Sequence, residues 1–339
     1  MNIRDIARLS GVGVSTVSRV LNNHEDVKES TREKVMQVIK ESNYIPNNSA
    51  RMLKQNSTNN IGLLVKGVFN PLFSEMTNII ANIIKASKYT MILEQNDYNY
   101  GDDFDTLQSF IKEKRLQGAI CLGGNFETVE QERLGALPVP VILTSVNTIF
   151  GVESKGYSSV GIDNIASAYK ATDYLITLGH KNILVIIGDE NDLGISWYRL
   201  KGYKRALEDN QMDFNPNNML IGDYNSRTAY NVVYKALKER TEITAIFAIS
   251  DVMAVGAAKA AADMGLEIGQ EISIIGFDGM DISEFYNPDI TTVKQPIKEM
   301  AETSASLLLA LLNGTEENKH IILDTELVKR KSCSNIVKV

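Results

Sequence analysis

Residues 11–23 read GVGVSTVSRVLNN. On a helix, Val17, Val20 and Leu21 share one side at i, i+3, i+4 spacing, which is an ordinary buried stripe. The opposite side shows Ser15, Thr16, Ser18, Arg19 and Asn22, short hydroxyl and amide groups with one arginine and no acid. Solvent-facing helices usually alternate acids and bases, so a small polar face free of negative charge suits contact with a polyanion. Working outward, the spacing predicts a first short helix from Ile3 to Ser10, with Ile3, Ile6 and Ala7 inward, closed by Gly11 in the left-handed conformation. Only GVGV separates the two helices, which forces the steep crossing of a helix-turn-helix. Ser30 followed by Glu33 predicts a capping box at the start of a third helix. Val35, Val38 and Ile39 form its core side, and Asn43-Tyr44-Ile45-Pro46 ends it. Three short helices on one small core could present the second to a major groove; by themselves they also fit a generic bundle.

The bulk numbers frame this head. The chain has 339 residues, of which 44% are hydrophobic, enough for more than one packed domain. Cys121 and Cys333 lie far apart, giving neither a disulfide framework nor a metal cluster, as suits a reducing compartment. No secretory signal opens the sequence and no stretch approaches about 18 consecutive apolar residues, so a cytoplasmic protein without membrane contact is expected. Residues 1–54 hold 9 Lys or Arg against 6 Asp or Glu, a net +3; the whole chain holds 35 against 42, a net −7, which leaves −10 for the remainder. A basic head on an acidic body confines attraction for a polyanion to one end.

IRDIARLSGVGVSTVSRVLNN, followed by VKESTREKVMQVIKESNYIPNNSARML, resembles the DNA-binding head of the LacI/GalR family of bacterial transcription regulators over residues 2–62. The resemblance implies that Val14 and Ser15 choose bases, that Thr16, Ser18 and Asn22 bond phosphates, and that Arg19 reaches a base edge. Short donors allow close approach, Arg suits guanine, and Val14 offers only apolar contact such as a thymine methyl. Gly13 replaces the usual capping Ser, at a cost of only tenths of a kcal/mol. Asn47 to Lys54 spans about two turns, too short to persist alone as a helix. In the family this hinge folds on operator DNA and inserts a leucine into the minor groove. Leu53 matches that leucine, with Asn47, Ala50 and Lys54 beside it.

From Asn60 onward, NIGLLV, YTMILEQ, GAICLGG, PVILTSV, NILVIIG, TAIFAIS and ISIIGFD read as buried strands. Stretches such as PLFSEMTNIIANIIKAS, NIASAYKATDYLITLG and DVMAVGAAKAAADMG read as helices between them. This alternation means parallel sheets covered on both faces, and the length calls for two lobes. Ligands in such folds bind beyond the carboxyl ends of the strands, where Asn70, Ser250, Asp251 and Asp278 stand. Asp251 also fits as the cap of the helix beginning at Val252, whereas Asp278 runs into a loop.

The body resembles the family's effector domain, shaped like a periplasmic sugar-binding protein, over residues 60–332. FNPLFSEM, RLQGAI, LGHKNI, RLKGYKRAL, AIFAISDVMAVGA, IIGFD, TTVKQP and TELVKR carry the likeness. It implies that Arg199 and Asp278 bind an effector's hydroxyls or carboxylate, that Tyr224 stacks on it, and that Ser250 and Gln295 line the cleft. Ser250 stands where the family has Asn, and Ser145 where an acid is common, so no familiar hexose or galactoside is assumed. The implied architecture is α/β: a three-helix helix-turn-helix domain (1–46), a hinge helix and linker (47–59), and a two-lobed periplasmic-binding-protein-like body of doubly wound parallel sheets. Residues 60–161 with 292–324 form one lobe, and 162–291 with 325–339 the other.

No nucleotide, metalloprotease or nucleophile-elbow motif is present. His24, His180 and His320 are scattered, with His180 explained by a surface helix-to-strand turn, so no enzyme, cofactor or metal is expected. A secreted solute-binding protein would have no use for residues 1–54. The reading is a homodimeric repressor of a pseudo-palindromic operator, controlled by a sugar or sugar derivative. The alternatives are a relative controlled by a protein corepressor and one controlled by a nucleoside or purine.

Overall fold

The computed structural model describes residues 1–21, 24, 26–42, 44, 58–67, 70–96, 103–126, 129, 131–146 and 156–336. They fall into two compact units, Met1–Thr58 and Asn59–Val339. The expected site residues Asn22, Asn47, Ala50, Leu53 and Lys54 lie outside the described residues, as does the hinge segment that carries the last four.

In the first unit, Asn2 opens helix α1 (Ile3–Ser10). Its Oδ1 accepts from the amides of Arg4 (2.9 Å) and Asp5 (3.2 Å), and Asp5 accepts in return from the Asn2 amide (2.9 Å). Gly11 closes the helix at φ 64°, the left-handed value expected there. Helix α2 (Val14–Leu21) and helix α3 (Glu29–Glu41) follow. Ile6, Ala7, Val17, Val20 and Val35 make the shared core, with Val38 and Ile39 packed against it. The capping box expected at Ser30 and Glu33 does not form. The helix begins two residues earlier, after Lys28 rather than after Ser30, and has no side-chain cap. The true capping box of the head is Asn2 with Asp5.

The second unit contains two six-stranded sheets. The first takes β1 (Asn60–Lys66), β2 (Thr90–Asn96), β3 (Gly118–Leu122), β4 (Val141–Thr144), β5 (Ser158–Ile162) and β11 (His320–Leu323), in the order β11-β5-β4-β3-β1-β2. All its pairings are parallel. The second takes β6 (Ile183–Ile187), β7 (Met219–Ile221), β8 (Ala245–Ala248), β9 (Ser273–Asp278), β10 (Thr291–Lys294) and β12 (Glu326–Val328), in the order β12-β10-β9-β8-β6-β7. Only β12 runs antiparallel. Their helices are α4 (Pro71–Lys85), α5 (Phe104–Lys114), α6 (Gln131–Gly135), α7 (Asn164–Thr177), α8 (Ile195–Asp209), α9 (Ser226–Glu239), α10 (Asp251–Asp263), α11 (Asp281–Glu284) and α12 (Ile297–Leu312). Strands such as β3, β6 and β9 are buried along their whole length, as parallel strands covered on both faces must be.

The chain passes between sheets after β5, after β10 and after β11. Because Thr291–Lys294 pairs with β9, residues 292–294 extend the second sheet, and the crossing expected at 291/292 falls after Lys294. In each sheet the strand order reverses beside the first strand, between β1 and β3 and between β6 and β8. Such switch points open crevices at the carboxyl edge. His180 is buried rather than superficial. Its ring bonds Thr244 Oγ1 (3.0 Å), Ser273 Oγ (2.9 Å) and the Ser334 carbonyl (3.1 Å), tying the tail to the base of the second sheet.

Candidate functional site

The carboxyl ends of both sheets face one cavity, at the switch points where α/β sheets bind small molecules. The first sheet supplies Lys66 at the end of β1, Asn70 and Phe73 at the head of α4, and Ser145 after β4. The second supplies Asp192 and Arg199 from the loop and helix after β6, Tyr224 after β7, and Asp278 ending β9.

Arg199 is the centre of the second-sheet wall. Its Nε donates to Asn164 Oδ1 (3.0 Å) and its Nη1 to the Ile249 carbonyl (2.5 Å), with Asp278 Oδ1 at 3.4 Å. The guanidinium also lies 3.6 Å over the Phe277 ring. Asp278, at φ 114°, accepts from Gln295 Nε2 (2.8 Å). Burial pushes the Asp278 carboxyl up to about 6, against the pull of Arg199 and Gln295. Arg199 remains charged beside it, since guanidinium does not deprotonate in proteins. Asn164 and Gln295 both stand where the chain passes between sheets, so the charge pair is bonded to two of the three crossings.

Tyr224 lies over Gly188, where a Cβ would come within 2.0 Å of its ring; only glycine admits this approach. The phenol donates to Asp192 Oδ2 (2.9 Å), and Ser196 Oγ lies 2.9 Å away. Asp192 also accepts from the amides of Gly194 (2.9 Å) and Ser196 (3.2 Å). On the opposite wall, Lys66 Nζ donates to Asp103 Oδ2 (2.7 Å). Asp103 further accepts from Asn96 Nδ2 (2.6 Å) and the Asn125 amide (2.5 Å).

Of the effector residues expected from sequence, Asn70, Ser145, Arg199, Tyr224 and Asp278 line the cavity, while Ser250, Asp251 and Gln295 do not. Ser250, not Asp251, caps α10, accepting from the Met253 amide (3.3 Å). Asp251 is consumed by structure: it accepts from the Met280 amide (2.7 Å) and Thr292 Oγ1 (2.7 Å). Gly276 makes room for it, since a Cβ there would meet Asp251 Oδ1 at 2.1 Å. Burial, helped by the Asp278 charge, pushes the Asp251 carboxyl up to about 7. Gln295 stands behind Asp278 and positions it. Lys66, Phe73 and Asp192 were missed. Lys66 and Asp192 are polar groups at or just beyond strand ends, the signal that singled out Asp278.

In the head, Val14, Ser15 and Arg19 are exposed and Thr16 and Ser18 partly so. The acid absent from α2 itself comes from a loop, with Arg19 Nη2 2.6 Å from Asp26 Oδ2 and both side chains half exposed.

A helix-turn-helix head joined to a periplasmic-binding-protein-like body defines a class of DNA-binding transcription regulators. Residues 2–47 match the model of bacterial regulatory proteins of the lacI family, and residues 172–333 that of the periplasmic binding protein-like domain. The chain belongs to the LacI family and is a transcriptional regulator, not an enzyme. It is 64% identical over 336 residues, 99% of this chain and 100% of the relative, to the HTH-type transcriptional regulator MalR of Clostridium butyricum. It is 33% identical over 323 residues, 95% and 96% of the two chains, to catabolite control protein A of Priestia megaterium. Among solved structures, a CelR–cellobiose complex matches with TM-score 0.70 at 27% identity, covering 98% and 99% of the two chains. The Lac repressor dimer bound to operator and the anti-inducer ONPF matches with TM-score 0.77 at 25% identity and the same coverage. Among the described residues, no helix is long and apolar enough to cross a membrane.

Proposed function

We propose that this regulator represses transcription as a homodimer on a pseudo-palindromic operator, and that a small carbohydrate in the cleft between its two lobes sets its DNA affinity. The cleft carries this reading: a buried Arg199–Asp278 pair beside the Tyr224 and Phe73 rings offers fixed donors, acceptors and stacking faces to a polyhydroxylated ring. Arg199 and Asp278 bind hydroxyls, Tyr224 stacks, and Val14, Ser15, Thr16, Ser18, Arg19 and Asn22 meet DNA. Hinge residues Asn47, Ala50, Leu53 and Lys54 complete the DNA contact. The relatives support a sugar, one having been solved with cellobiose. The dimer draws support from apolar surface, since Phe285 is 81% and neighbouring Ile282 42% exposed, of the kind that association covers.

The test is to select an operator from random DNA and titrate the complex with mono- and disaccharides, following anisotropy. Operator affinity is expected to change at least about fivefold with the right sugar, and Asp278→Ala to abolish the change while sparing DNA binding. Indifference to every sugar would overturn the carbohydrate reading. Phe73 and Tyr224 also favour a second ligand, a nucleobase held between rings, so purines and nucleosides belong in the panel.

A further inference from the structure

We infer that the cleft selects an uncharged ligand and turns away phosphorylated or carboxylated ones, with Lys66 a binding donor on the first-sheet wall. This rests on the reading of the cleft as the effector site. Among the described residues two cations line it, and each is already neutralised by a buried carboxylate. Lys66 is paired with Asp103 at 2.7 Å, with side chains 10% and 3% exposed. Arg199 is paired with Asp278 at 3.4 Å, with side chains 4% and 3% exposed.

The remaining charged side chain of the lining is Asp192. Among the described residues no cation stands within ion-pair distance of it; its partners are the Tyr224 hydroxyl and two amides. Asp189 and Glu190 share its loop, and Asp223 precedes Tyr224. Among the described residues the lining therefore carries net negative charge, and an arriving phosphate would have to displace a carboxylate from a cation while facing Asp192. Displacement would strand that carboxylate buried and unpaired, the costly outcome for an ion pair.

A neutral polyol meets no such barrier. Lys66 keeps two N–H donors beyond the one given to Asp103. Arg199 is held through Nε and Nη1, which leaves Nη2. Asp192 offers an acceptor oriented by its own donors. Donors on one wall and an acceptor with donors on the other match vicinal hydroxyls, which both give and take hydrogen bonds.

The experiment follows thermal denaturation of the full chain with cellobiose, glucose and ribose, with glucose 6-phosphate and ribose 5-phosphate, and with inorganic phosphate. Neutral sugars are expected to raise Tm saturably, while the phosphorylated sugars and inorganic phosphate give no saturable shift. Asp192→Asn removes the lone charge and Asp103→Asn releases Lys66 from its counter-ion. Each is expected to raise phosphate or glucose 6-phosphate affinity by about tenfold or more, the effect of one unit charge in a partly screened site. Asp192 stands on a loop, so its variant keeps the test open if Asp103→Asn fails to fold. Lys66→Met is expected to weaken a bound neutral sugar by about tenfold.

Saturable binding of a phosphorylated sugar or phosphate to the wild-type protein, lost in Lys66→Met, would overturn the inference and leave the carbohydrate reading standing. If no sugar of either kind binds, the carbohydrate reading falls instead. The charge inference is then decided by inorganic phosphate and Asp192→Asn: gained affinity in that variant supports it, and unchanged affinity refutes it.

Discussion

Arg19 and Asp26 show how much one side chain can withhold. An exposed ion pair contributes about 0–1 kcal/mol, so DNA can exchange phosphate or base for Asp26, but the exchange is a cost on every binding event. Asp26→Asn is expected to tighten DNA binding severalfold at low salt, with the gain shrinking as salt rises, because screening removes what the carboxylate withheld. Anisotropy titrations at two ionic strengths check this. Asp251 gives a second prediction. Its carboxyl rises from an ordinary 3.8 to about 7 on folding, so the folded chain holds the proton more tightly than the unfolded chain. That contribution to stability is complete below pH about 4 and is lost as pH climbs toward about 7. Asp251→Asn is expected to flatten this decline. Urea midpoints at several pH values would show it, and parallel profiles for the two proteins would refute it.

At the scale of elements, caps separate what sequence spacing suggests from what packing uses. Asn2 and Asp5 form the reciprocal cap of Ile3–Ser10, while Ser30 lies within the first turn of Glu29–Glu41 and caps nothing. Asn2→Ala is therefore expected to cost the head about 1 kcal/mol and Ser30→Ala only a few tenths. Amide exchange of the first and third helices would read the difference, and equal losses would contradict the assignment. The three-residue spacing of Ser30 and Glu33 is a true signature, but Lys28 already starts the helix, so the hydroxyl arrives too late. At 250–251 the same ambiguity resolves the other way, with the hydroxyl capping and the carboxylate buried in a bonding role.

At the scale of the molecule, the two units, Met1–Thr58 and Asn59–Val339, each carry their own core. Deleting residues 1–58 is expected to leave a body that folds and responds to ligand by thermal shift but has lost specific DNA binding. Operator binding by the truncated chain at physiological salt would refute that division of labour. The net +3 of residues 1–54 against the −10 of the remainder points the same way.

What the sequence determined by itself is local. Helical periods, the left-handed Gly11, the strands and the alternation that demands parallel sheets all depend on neighbours a few residues apart. Those elements formed among the described residues, although β2, read as buried, is an edge strand exposed or half-buried along its length. It also marked Asn70 and Asp278, since polar groups at and beyond strand ends must gather wherever parallel sheets present their carboxyl edges; Arg199 and Tyr224 came only from the resemblance to the LacI family's effector domain. Tertiary structure decided which polar groups face the cleft and which are spent behind it. Strand order places Lys66 beside the cleft with Asp103 beneath it, sends Asp251 to the Met280 amide and Thr292, and stations Gln295 behind Asp278. Such choices depend on pairings between residues 17 to 41 positions apart, where burial makes polar groups find partners, and no local pattern specifies which partner that will be.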